Sequence, residues 1–212
     1  AVTLSDSDIA QLSREAVAWM DANNPVADET TEYGARLKRL TEGITEVDGL
    51  PLNFKVYKVA DVNAFACGDG SIRVFSALMD LMDDDELMAI IGHEIGHVVH
   101  ADTKHAMKNA YLASAARNAA GAAEGSRLAK LGGSQLGELV TALTDAQFSQ
   151  KQEYEADEYG FEFSVKHGFS PYAMGNSLNK LVELSKGAKA STVQKMFSSH
   201  PDSEKRAARM KE

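Results

Sequence analysis

The stretch Ile90-Ile91-Gly92-His93-Glu94-Ile95-Gly96-His97-Val98-Val99 sets the strongest constraint on how this chain folds. It puts two imidazoles and a carboxylate into an otherwise apolar run, and burying such groups is costly unless they are paired or hold a metal. Its beginning is marked, because Asp83 followed three residues later by Glu86 predicts a capping box, and Asp84 and Asp85 suit the positive end of a helix dipole. Leu87, Ile90, Ile91, Ile95 and Val98 then place apolar groups nearly all round, which predicts a buried central helix ending near His100. On such a helix His93 and His97 stand at i and i+4 on one face, close enough to share one metal ion, while Glu94 is turned roughly 100° aside.

The spacing is that of His-Glu-x-x-His, in which both histidines ligate zinc and the glutamate is the general base toward a metal-activated water. A catalytic zinc needs three protein ligands and an open fourth position. His100 and His105 lie off the metal face and His167 falls at a helix end, which leaves carboxylates for the third ligand. The acidic group Glu153, Glu155 and Glu158 reads, from its pattern alone, either as the source of that ligand or as a solvated helix face.

In chain order, Asp6 to Asn23 is an amphipathic helix with Ile9, Leu12, Ala16 and Trp19 or Met20 inward, and about Asp28 to Gly43 is a second. From Leu52 the period becomes two: Leu52 to Val56, Val62 to Ala66 and Ile72 to Phe75 predict a small sheet with a tight turn at Gly68-Asp69-Gly70. Beyond the His-Glu-x-x-His helix everything reads as helical. The glycines at 121, 125, 132, 133 and 137 mark an irregular connection, either a lid or an ordinary loop. A long helix from about Gln135, broken near Ser149, runs to a C-cap at Gly168. Ser170-Pro171 restarts a helix, and His200-Pro201 opens a last charged one. The expectation is an α+β, mostly helical chain forming a single domain over 1–212, with N-terminal helices in 1–50, the sheet in 51–76 and a helical catalytic part in 77–212.

Composition narrows the partners. A net charge of -9 with no basic cluster speaks against nucleic acid or an anionic membrane surface. No apolar run approaches the roughly 20 residues needed to span a bilayer. Cys67 is the one cysteine, so no internal disulfide forms, and it reads as a small packing residue. The chain begins with Ala1 rather than Met, which leaves room for a removed targeting segment.

His93-Glu94-x-x-His97 followed by Glu153-x-x-Ala156-Asp157 resembles the gluzincin zinc metallopeptidases that include HtpX and the CAAX prenyl proteases. Asp61 to Ala66, Ile72 to Ser76 and Gln147-Phe148-Ser149-Gln150 extend the likeness over nearly the whole chain, toward the family's soluble periplasmic, LoiP-like and BepA-related branch. The resemblance implies a zincin-like fold with the sheet packed near the His-Glu-x-x-His helix, one Zn2+ per chain, Glu153 as third ligand, and Asp157 supporting a ligating histidine. It also implies that His200 and Arg206 reach the active site, where they stabilise an oxyanion or, for His200 in latent forms, fill the fourth zinc position. At Asp102, where relatives often carry a histidine, the chain departs from the pattern, outside the ligand set.

The activity so implied is a zinc-dependent endopeptidase of protein quality control, with Glu94 as general base, cleaving unfolded or damaged cell-envelope proteins in the periplasm. The alternative is a latent quality-control or binding protein whose zinc site a histidine closes. Partners are protein or peptide substrates, with envelope-assembly proteins left open, as is an outer-membrane lipid anchor upstream of Ala1. An extended substrate is expected to add to a free sheet edge at Asn63, Ala64, Phe65 and Ala66.

Overall fold

The computed structural model describes residues 4–117, 133–188, 190–201 and 203–211. Helix α1 spans Asp6–Asn23, and Ser5 and Asp8 cap it reciprocally. Strand β1 (Val26–Ala27) follows, then α2 (Glu32–Thr41). This second helix starts later than its pattern predicts, because Asp28 accepts from the Thr30 amide and hydroxyl in a turn and leaves Thr31 as the N-cap. A separate hairpin pairs β2 (Glu46–Val47) with β3 (Leu50–Pro51) around Asp48-Gly49.

The main sheet adds β4 (Asn53–Tyr57), β5 (Ala64–Ala66) and β6 (Ser71–Phe75) to β1, in the order β1-β4-β6-β5. The β4–β6 pair is parallel and the other two are antiparallel. Alternation in β6 sends Ile72 and Val74 into one core and Phe75 into another, so both faces of the sheet are covered. The first core joins the sheet to α2, to α3 (Ser76–Leu81) and to the central helix α4 (Asp84–Val99). The second joins it to α1, α5 (Asp102–Arg117) and α6 (Gly133–Thr144). Arg73 is almost wholly buried among these groups because Asp21 of α1 receives its Nε and Nη2 at 2.9 and 3.0 Å.

Helix α4 keeps its expected capping box, with Asp83 Oδ1 accepting from the Glu86 amide at 2.8 Å. Such a cap contributes about 1 kcal/mol. Helix α7 (Gln150–Lys166) opens the same way on Ser149 and Gln152. The helices α4 and α7 touch through glycine. A β-carbon on Gly160 would stand 2.9 Å from Ala89 O and 3.0 Å from His93 N, and one on Gly92 would strike the Phe163 ring. Three helices complete the chain: α8 (Ala173–Ser185), α9 (Ala190–Ser199) and α10 (Ser203–Arg209).

Several expectations need correction. Gly133 and Gly137 belong to α6 rather than to an irregular connection, and Gly137 supports the half-buried ring of Trp19. The lid or loop expected over 121–132 lies outside the described residues. The break expected near Ser149 separates α6 from α7, and α9 is a distinct helix ahead of His200 in a stretch read only as generally helical. Among the described residues, no helix is long and apolar enough to cross a membrane.

Candidate metal and catalytic site

The i, i+4 spacing on α4 brings His93 and His97 together with their Nε2 atoms 3.1 Å apart. Each Nδ1 is anchored from behind. His93 Nδ1 lies 2.8 Å from Asp157 Oδ1 on α7, and His97 Nδ1 lies 2.8 Å from Asp102 Oδ2 at the start of α5. Carboxylates at these positions hold the Nδ1–H tautomer, so both Nε2 lone pairs face one point.

Glu153, on the face of α7 that meets α4, completes a triangle. Its Oε1 is 3.0 Å from His97 Nε2 and its Oε2 is 3.3 Å from His93 Nε2. His200, in the short link between α9 and α10, brings Nδ1 to 2.9 Å from Glu153 Oε1 and 3.4 Å from His93 Nε2. Ligands about 2.0–2.1 Å from a tetrahedral zinc stand about 3.4 Å from one another. These four buried residues offer donor atoms all within 4.8 Å of one another, which suits such an ion. Two buried lone pairs facing each other at 3.1 Å also need a cation between them. So does Glu153 Oε2, which is 3.0 Å from Arg206 Nη1 but outside hydrogen-bonding geometry.

Charge points the same way. Burial pulls the His200 imidazole down, yet the carboxylates of Glu153 and Glu94 outweigh it and hold the pKa up at about 10. Burial pushes the Glu153 carboxyl up, and the neighbouring imidazoles of His200 and His93 reverse this and hold it well below the usual range. Glu94 is likewise lowered, with His200 overcoming the cost of its burial.

Glu94 turns away from the donor cluster into a cleft, with Oε1 3.2 Å from His200 Nε2 and without a hydrogen bond. The cleft is walled by β5, α5 and the end of α6, with Phe65, Met107, Leu143 and Phe148 among its lining residues. Strand β5 is the outermost strand of its sheet, and Ala64 within it is fully buried. The Asn63 carbonyl and the Cys67 amide bond to β6, so by antiparallel alternation Ala64 and Ala66 turn their backbone groups outward. The Ala64 amide is taken by Asn63 Oδ1 at 2.9 Å.

Arg206 reaches the donor cluster, with Nη1 3.0 Å from Glu153 Oε2. It is 3% exposed, its Nε and Nη2 grip Asp157 at 2.8 and 2.7 Å, and its Nη1 donates to the His200 carbonyl. Arg206 also lines a small enclosed cavity together with His93 and His200. Asp102 and Phe148 were missed as site residues. Asp102 reads in sequence as an ordinary acidic helix start, and nothing in the pattern signals that the Phe148 ring stacks 3.9 Å from His97.

The pattern of Peptidase family M48 matches residues 33–212. Metalloprotease LoiP of Escherichia coli (strain K12) is 41% identical, and metalloprotease YcaL of the same organism 38%, each over all of this chain and 82% of the relative. The beta-barrel assembly-enhancing protease of Escherichia coli (strain K12) is 32% identical over 63% of this chain and 28% of its own length. With this extent of likeness and a buried donor set suited to zinc, the chain belongs to peptidase family M48 and is a zinc-dependent protease.

Proposed function

We propose that the protease is an endopeptidase acting on unfolded or damaged proteins of the cell envelope, with His93, His97 and Glu153 as zinc ligands and Glu94 as general base. The observation that carries the reading is Glu94 standing between the buried donor cluster and a cleft lined by β5. Bound zinc supplies Lewis-acid activation of water and of the scissile carbonyl. Glu94, kept ionised by His200, takes a proton from the attacking water and delivers it to the leaving amine. His200 Nε2 donates toward the oxyanion. Asp157 orients His93, and Arg206 acts through Glu153 and Asp157 as a positioning residue. An extended peptide lies along the segment Asn63 to Ala66, where the half-buried Ala66 turns its backbone groups outward and Asn63, Ala64 and Phe65 shape the strand. Similarity to the beta-barrel assembly-enhancing protease supports the envelope and the periplasm as the setting.

The test is casein cleavage by the zinc-loaded protein. Glu94→Gln is expected to keep one zinc per chain and to lose at least about a hundredfold in rate. Cleavage equal to the parent's would remove Glu94 from the mechanism.

A second reading, a latent enzyme with His200 as fourth ligand, is favoured by the 2.9 Å approach of His200 Nδ1 to Glu153. The two readings predict opposite signs for His200→Ala: a faster enzyme if the residue is a catch, a slower one if it stabilises the oxyanion.

A further inference from the structure

We infer that the cleft beside Glu94 holds a subsite for one substrate side chain with an apolar body and an uncharged hydrogen-bonding tip, read by the hydroxyl of Thr103. The inference rests on the peptidase reading above. Among the described residues three buried side-chain polar atoms lack a hydrogen-bond partner: Glu94 Oε1, Glu153 Oε2 and Thr103 Oγ1. The first belongs to the proposed base and the second to the metal cluster. Thr103 has no such assignment, yet it lines the same cleft as Glu94.

Thr103 lies in the first turn of α5 and is 4% exposed. A β-carbon placed on Gly68 would come 3.8 Å from its Oγ1, which sets the hydroxyl beside the turn that follows β5. Phe65, Met107, Leu143 and Phe148 make most of the remaining wall apolar. A hydroxyl left unpartnered in such a place costs about 1–3 kcal/mol. A side chain that bonds it recovers this cost, whereas a wholly apolar one seals the hydroxyl in unpaired. That asymmetry is the physical basis of strong discrimination by sites with buried polar groups. The apolar walls oppose any full charge.

The test compares kcat/KM of the zinc-loaded full chain on peptides paired at each position flanking the scissile bond: Tyr against Phe, Gln against Met, Asn against Leu. At one position the polar member is expected to lead by about tenfold. In Thr103→Val, of nearly the same shape, that ratio falls to about one, with zinc content and Tm confirming an intact fold. A wild-type ratio of one or less at every position, or a ratio indifferent to Thr103→Val, overturns the subsite. Failure of the wild type to cleave any peptide would count against the peptidase reading instead. The subsite would then be decided by Kd of the same pairs for Glu94→Gln with and without Thr103→Val. A preference for the polar member that valine abolishes supports it, and equal affinities sink it.

Discussion

Asp102 shows how a single side chain governs a metal site to which it contributes no donor atom. Its Oδ2 holds His97 Nδ1, and its Oδ1 accepts from Gln152 Nε2 at 3.1 Å, so the start of α5, the second ligand and the first turn of α7 are tied through one carboxylate. The preceding residue, Ala101, sits at a φ of 61°, a left-handed conformation that costs an alanine about 1–2 kcal/mol. That turn is what folds Asp102 back under His97. Replacing Asp102 by asparagine should therefore weaken zinc binding about 10- to 100-fold, read by competition with a chromophoric chelator, with the circular dichroism spectrum preserved. An unchanged affinity would show that the contact does not orient the ligand. The i, i+4 relation of His93 and His97 was legible in the sequence because helix geometry alone creates it. Asp102 was not, because its proximity depends on a backbone conformation that alanine rarely adopts.

At the scale of elements, the seam between α4 and α7 decides whether the donors meet. Gly92, Gly96 and Gly160 let the helices approach closely enough for Glu153 to stand 3.0 Å from His97. Gly160→Ala would press a methyl against backbone atoms on α4, which cannot rotate away as a side chain would. We expect a loss of about 1–3 kcal/mol in denaturant unfolding together with reduced zinc affinity. Loss of stability alone, with zinc affinity intact, would separate packing from ligand placement.

Helix starts were readable at this scale because capping is local: Asp83 with Glu86 was recognised three residues apart. The parallel pairing of β4 with β6 was not, since β5 intervenes in sequence and register depends on distant contacts. Helix α9 escaped notice because its apolar positions, Val193, Met196 and Phe197, are few and its flanks carry no clear cap.

Across the whole molecule, the link between Asp21 and Arg73 joins the N-terminal helix to the centre of the sheet. Burial raises the Asp21 carboxyl, but hydrogen bonds from Arg73 and Tyr57 outweigh it and leave its pKa below the ordinary value. A folded-state pKa beneath the unfolded one gives stabilisation that is complete above the usual carboxylate pKa of about 4 and is lost as pH falls through the lower value. Urea midpoints should thus drop in acid, and Asp21→Asn should be less stable near neutrality while showing a shallower acid decline. Identical slopes for the two proteins would assign acid sensitivity to other carboxylates. The charge and apolar patterns foretold a mostly helical chain with a small sheet. They did not foretell a buried arginine inside a strand, because alternation marks Arg73 as solvent-facing until α1 covers it.

The donor cluster draws on α4, on α7 and on the link before α10, three stretches well separated along the chain. For a ribosome-fed polypeptide this means that the cutting centre cannot close until the link before α10 has been made and docked. Copies that stop short of that link carry the His-Glu-x-x-His helix without all of its counterparts, so the hydrolytic hazard to the cell, and to the chain itself, begins only once these distant stretches have met.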